Sequence, residues 1–189
     1  MGKTYETLEG PLLAFINSQQ LFFVATAPLG VSGHLNLSPK GLDSFRVLGP
    51  RRVAYLDQVG SGAETIAHLR ENGRIIMMLC AFEGPPNIVR LHGRGTVIEP
   101  QDDTWATLRP LFPAGQPGRA IIQIDVDRIS DSCGFGVPEY AFTEHRSHLT
   151  DWVDHKGTDG IRNYQRQNNC TSLDGLPALR WVANRPDTK

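Results

Sequence analysis

The stretch RIIMMLCAF at residues 74–82, the turn Glu83-Gly84-Pro85-Pro86 and the stretch IVRLHGRGTVI at residues 88–98 decide the fold class. Two apolar runs divided by a Gly/Pro turn too short to hold a crossover helix predict a pair of antiparallel strands. Downstream, Arg119 to Ile129 sets Ile122, Ile124 and Val126 in alternation with Gln123, Asp125 and Asp127, the period of a strand with one buried face. Upstream, Arg52 to Asp57 and Leu21 to Ala25 read as strands, and His34 to Ser38 as another whose polar face carries Asn36 and Ser38. That makes six strands. Leu12, Leu13 and Ile16 predict a short helix over Pro11 to Gln19, and one further helix, Glu64 to Asn72, separates the third strand from the fourth. Strands joined by short connections predict a largely antiparallel sheet closing into a barrel: mainly β with flanking helices, an α+β chain. A parallel dinucleotide-binding fold is disfavoured.

With 189 residues, 40% of them hydrophobic, the chain reads as one domain, residues 1–189. Within it, residues 1–145 form the barrel core and 146–189 a helical extension and tail. Hydrophobic density falls beyond Ser147, where Trp152, Val153, Ile161 and Tyr164 predict two short helices ahead of a polar tail that packing on a partner would order. Lysine plus arginine number 19 against 20 acidic residues, so neither nucleic acid nor an anionic membrane is expected as the main partner. A small molecule fits better. The N-terminus lacks the basic-then-apolar layout of a signal peptide, and no apolar run approaches the roughly 18 residues of a membrane span, so a cytoplasmic, non-membrane protein is expected. Cys80, Cys133 and Cys170 suit neither a disulfide framework nor a zinc site.

Three segments carry possible chemistry. In Gly60-Ser61-Gly62-Ala63-Glu64-Thr65, Ser61 and Glu64 have capping-box spacing at the start of the second helix, with Gly73 as its stop. Unpaired amides and the positive dipole end make such a terminus a phosphate seat, although the pattern is equally that of a helix cap alone. In Asn36-Leu37-Ser38-Pro39-Lys40-Gly41, a strand presents Asn36 and Ser38 on one face and breaks at Pro39 to release Lys40. That arrangement suits the edge of a polar aromatic ring or a phosphate, or is a polar strand end with a solvated lysine. In Ser132-Cys133-Gly134-Phe135-Gly136, small residues permit a flat ring to come close, and Cys133, with no histidine at recognisable spacing, has no catalytic role. His148, Asp151 and His155 fall near one helix face and read as a solvated polar surface; no metal site is expected. Motifs for a hydrolase elbow, a P-loop or a dinucleotide fingerprint do not occur.

Together with His68–Gly73, Cys80–Pro86 and Asn168–Leu179, these segments resemble the FMN-binding proteins of the pyridoxamine 5'-phosphate oxidase-like superfamily, in order and across nearly the whole chain. The resemblance implies a six-stranded split β-barrel of the FMN-binding type and a homodimer with FMN sites between subunits. It implies Ser61, Gly62 and Thr65 at the phosphate, and Asn36, Ser38 and Lys40 along the ring or ribityl edge. Arg90 is a further cation, with an ordinary ion pair as the alternative, and Cys133 and Gly134 approach from a neighbouring strand or the other subunit. Two departures separate the chain from true pyridoxamine phosphate oxidases. Their phosphate turn is basic where this one reads Gly62-Ala63-Glu64, and the Arg-bearing terminus that holds pyridoxal phosphate is replaced by Arg180-Trp181-Val182-Ala183 and a polar tail. The expectation is an FMN-dependent oxidoreductase acting on a small molecule other than pyridoxamine phosphate, with no catalytic side chain identifiable. The alternatives are a non-catalytic binder or sensor and a deazaflavin or haem in place of FMN.

Overall fold

The computed structural model describes residues 2–183 of the chain. Eight strands form one antiparallel sheet: β1 (Thr4–Tyr5), β2 (Phe22–Thr26), β3 (Asn36–Lys40), β4 (Phe45–Gly49), β5 (Arg52–Gln58), β6 (Arg74–Cys80), β7 (Ile88–Ile98) and β8 (Gly118–Ser132). Their order is β3-β2-β6-β7-β8-β5-β4, with β1 pairing the far end of β8. Helices α1 (Gly10–Ser18), α2 (Glu64–Asn72), α3 (Trp105–Leu108), α4 (His148–Asn168) and α5 (Arg180–Ala183) flank it. The expected class holds, a mostly antiparallel sheet with flanking helices, but the expected closure into a barrel is corrected: among the described residues β3 and β4 are edges that do not pair with each other. The count of six strands is corrected to eight. Thr4–Tyr5 is too short to show a period, and every residue of the edge strand Phe45–Gly49 is half-buried, so no alternation marks it.

The predicted break at Pro39 is also corrected, because β3 runs through it to Lys40. Strand β3 is an edge, paired only with β2, and an edge strand tolerates the missing proline N–H. Helix α2 packs its buried Ile66, Ala67 and Leu69 into the main core with Val24, Tyr55, Met77, Leu91, Ile122 and Ile124. It stops at Gly73, whose φ of 70° is the left-handed conformation a C-terminal glycine supplies. Close approach of α2 to the sheet needs Gly95, where a Cβ would stand 2.8 Å from a Leu69 methyl. A second, smaller cluster of Ala54, Leu56, Ile98, Ile121 and Phe112 lies beneath α3.

The C-terminal extension consists of two helical halves broken at Gly157 (φ 64°, ψ 173°), which accounts for the two helices read from the sequence. The polar tail from 184 onward lies outside the described residues. No described helix is long and apolar enough to cross a membrane.

Candidate functional site

The open flank of the sheet, where β3 comes near β5 and the start of α2, forms a cleft of about 410 Å³. Asn36, Ser38, Lys40, Gly62 and Thr65 all line it, so segments far apart in the sequence converge as expected. The Asn36 amide joins them: its Nδ2 donates to Thr65 Oγ1 at 2.9 Å and Thr26 Oγ1 at 3.2 Å, and its Oδ1 accepts the Ser38 hydroxyl at 3.0 Å. This bridge ties edge strand β3 to the first turn of α2. Behind it, the fully buried His68 meets Thr26 Oγ1 through Nδ1 at 2.9 Å, and its Nε2 is buried with no described partner. Burial lowers the His68 pKa, so the ring is neutral at physiological pH.

The cleft floor holds an ion triad. Asp57, fully buried on β5, accepts from Lys40 Nζ and from Arg119 Nε, each at 2.9 Å. Burial alone would raise its pKa, but the Arg119 and Lys40 charges outweigh that and bring it to about 2. Arg119 was not expected here. It enters because β5 and β8 slip register at this point: Asp57 pairs with Ala120 and Gln58 with Gly118, leaving Arg119 as the extra residue of a bulge. A bulge re-aims its side chain, which explains why an arginine only 5% exposed turns into the cleft. Its Nη1 donates to the Gly60 carbonyl, bracing the loop before α2.

The capping-box reading is corrected. The residue preceding α2 is Ala63, and no side chain caps the helix. The Glu64 carboxylate instead accepts the Leu173 backbone N–H at 3.1 Å and leans on Gly62, where a Cβ would meet Glu64 Oε2 at 2.2 Å. The loop is fastened from elsewhere in the chain: Asn169, fully buried, donates through Nδ2 to the carbonyls of Gly60 and Ser61. Ser61 itself is exposed beside the cleft rather than in its lining. With the helix uncapped, the N–H groups of its first turn have no side-chain acceptor, the condition an anion seat requires.

Arg90, Cys133 and Gly134 do not line this cleft. They gather at the start of β7 and the end of β8, where Arg90 Nη1 donates to Ser132 Oγ at 2.8 Å and a Cβ on Gly134 (φ 66°) would press on the Asn87 backbone at 3.0 Å. The Cys133 thiol is exposed.

The sequence model of the family described as pyridoxamine 5'-phosphate oxidase matches residues 8–133, which contain every lining residue of the cleft but Leu149. The chain belongs to that family. A relative, the pyridoxamine 5'-phosphate oxidase family protein ustO of Aspergillus flavus, is 42% identical over 192 residues, covering 93% of this chain and 77% of the relative. Among solved structures, a HupZ variant from Group A Streptococcus superposes with a TM-score of 0.52 at 21% identity, covering 66% of this chain and 99% of its own. A protein from Lactobacillus delbrueckii described as a putative pyridoxamine 5'-phosphate oxidase gives a TM-score of 0.50 at 15% identity, covering 67% and 98%. At such identities these two likenesses speak for the fold alone.

Proposed function

We propose that this chain binds FMN in the cleft between β3 and α2, as a homodimer with the cofactor between subunits, and acts as an oxidoreductase on a small molecule. The observation that carries the reading is the convergence, in one cleft of about 410 Å³, of the Asn36, Ser38 and Lys40 edge with an uncapped helix N-terminus and Arg119. Family membership supports it.

The residues present fit such a group. Lys40 gives Asp57 one of its three N–H donors, leaving two for a ring or ribityl oxygen. Arg119 spends Nε on Asp57 and Nη1 on Gly60, which leaves Nη2 for a phosphate near the α2 terminus. Thr65 adds a hydroxyl. Glu64 opposes the phosphate, and with Asp57 it balances the two cations, so the cleft's side chains are near neutral and the backbone dipole supplies the remaining attraction. Bound flavin supplies hydride or electron transfer. The chain's part is to hold the phosphate at α2, orient the ring along β3 and keep its polar edge hydrogen-bonded.

Arg90, Cys133 and Gly134 belong to this reading as groups reaching the partner subunit's cofactor. Pyridoxamine phosphate itself is not the substrate we propose. Incubating the purified chain with FMN, removing the excess and adding a nicotinamide donor tests the reading: retained flavin absorbance that bleaches supports an oxidoreductase. Retained absorbance that does not bleach points to a binder, and loss of all absorbance rejects FMN.

A further inference from the structure

A second concavity, of about 480 Å³, lies on the other side of Arg119, between the end of β7, the start of β8, the second half of α4 and α5. Three arginines line it, Arg119, Arg162 and Arg166, together with Trp181 and Gln165, and no acidic side chain does so among the described residues. Arg162 and Arg166 stand one turn apart on α4, where like charges repel unless something neutralises them. Among the described residues little does. The carboxylate paired with Arg162 is Asp159, at 3.9 Å and almost fully exposed, and Arg166 donates to the uncharged Asn163 amide at 3.2 Å.

The arrangement is nevertheless built. Arg166 lies over the Trp181 ring, 5.9 Å from its centroid, a cation–π contact. Gln165, only 6% exposed, forms part of the wall, and its backbone carbonyl is taken by the Asn169 N–H at 2.8 Å. The side chain of the same Asn169 fastens the loop of the first cleft, so the two cavities share Arg119 and the Asn169 brace.

We propose that this cavity is an oxyanion site, taking the phosphate or carboxylate of a small ligand between Arg162 and Arg166, with Arg119 behind. Two planar guanidiniums lining one concavity without an acidic side chain among the described residues match the paired oxygens of either group. Trp181 is a positioning residue here, acting through Arg166.

Titration calorimetry of the full chain with sodium pyrophosphate, and separately with citrate, at constant ionic strength tests the site and distinguishes a phosphate from a carboxylate ligand. Saturable binding of at least one anion is expected, weakened by about tenfold or more in the Arg162→Gln/Arg166→Gln double variant, the loss of a charge-assisted contact. Ser61→Ala/Thr65→Ala, at the first cleft, leaves the component of binding that depends on Arg162 and Arg166 unchanged. Arg162→Gln alone, at an exposed position, weakens it by about threefold. Absence of saturable heat for both anions, wild-type affinity in the arginine variants, or a loss confined to Ser61→Ala/Thr65→Ala would each overturn the proposal. FMN retention measured on the same proteins reports separately on the first cleft.

Discussion

Replacing Asp57 with Asn tests the ion triad beneath the cleft. The carboxylate is fully buried, and Lys40 and Arg119 each reach it at 2.9 Å. The fall of its pKa from 3.8 to about 2 corresponds to roughly 2.5 kcal/mol of folding stability at neutral pH. The substitution also leaves two cations facing each other with the amide between them, and breaking a buried pair costs about 3 kcal/mol or more. Urea unfolding at pH 7 is therefore expected to show Asp57→Asn less stable than wild type by about 3 kcal/mol. The pH dependence follows from the sign of the shift. A depressed carboxylate contributes its full stability above its unfolded value of 3.8 and loses it as pH falls towards about 2. Wild type must lose stability between pH 5 and pH 2 faster than the variant, so the gap between them closes over that window. A gap that stays constant with pH, or a variant as stable as wild type at pH 7, would refute the triad.

Four further outcomes follow from the same geometry. Ser61→Ala/Thr65→Ala should weaken FMN binding by about tenfold or more, measured by fluorescence quenching, while His148→Ala/His155→Ala leaves it unchanged; equal effects would mean the phosphate is seated elsewhere. Glu64→Gln removes a negative charge from the seat and should tighten FMN by about three- to tenfold, an effect that weakens with added salt. Gly93→Ala would place a Cβ 2.2 Å from the Asp125 carbonyl oxygen at the β7/β8 bulge, and should lower the unfolding free energy by about 2 kcal/mol or more in urea denaturation, whereas Gly136→Ala, with open space around it, should not. Light scattering at micromolar concentration should give twice the chain mass, and a clean monomer that holds FMN tightly would remove the intersubunit site.

How far the fold could be read depended on how regularly each strand alternates. The strand β7 buries alternate residues over most of its length and β8 does so over residues 122–127, and that pattern locates the centre of the sheet. The strand β4 escaped because an edge that is half-buried throughout has no period to read. In the cleft, Asn36 and Ser38 were legible because a period of two puts them on one face; Lys40 was placed beside them by a break at Pro39 that the strand does not make, and Thr65 by the resemblance of its turn to the family's phosphate loop. Arg119 was not legible. Its inward aim comes from a register slip between strands some 60 residues apart in sequence, and on strict alternation nothing distinguishes it from a strand-end charge. Asn169 escaped as a loop brace for the same reason, reaching Gly60 from 109 residues away. Ser61 and Glu64 show the opposite failure: the local spacing of a capping box was present, but contacts from Leu173 and Asn169 drew the loop into another shape.

The most direct test of the account is the absorption spectrum of the purified chain after addition of FMN and removal of the excess by gel filtration. Flavin bands in the blue and near-ultraviolet that co-elute with the protein, and that fall away in Ser61→Ala/Thr65→Ala, are what the cleft predicts. A protein that elutes without flavin bands at micromolar concentration would contradict it.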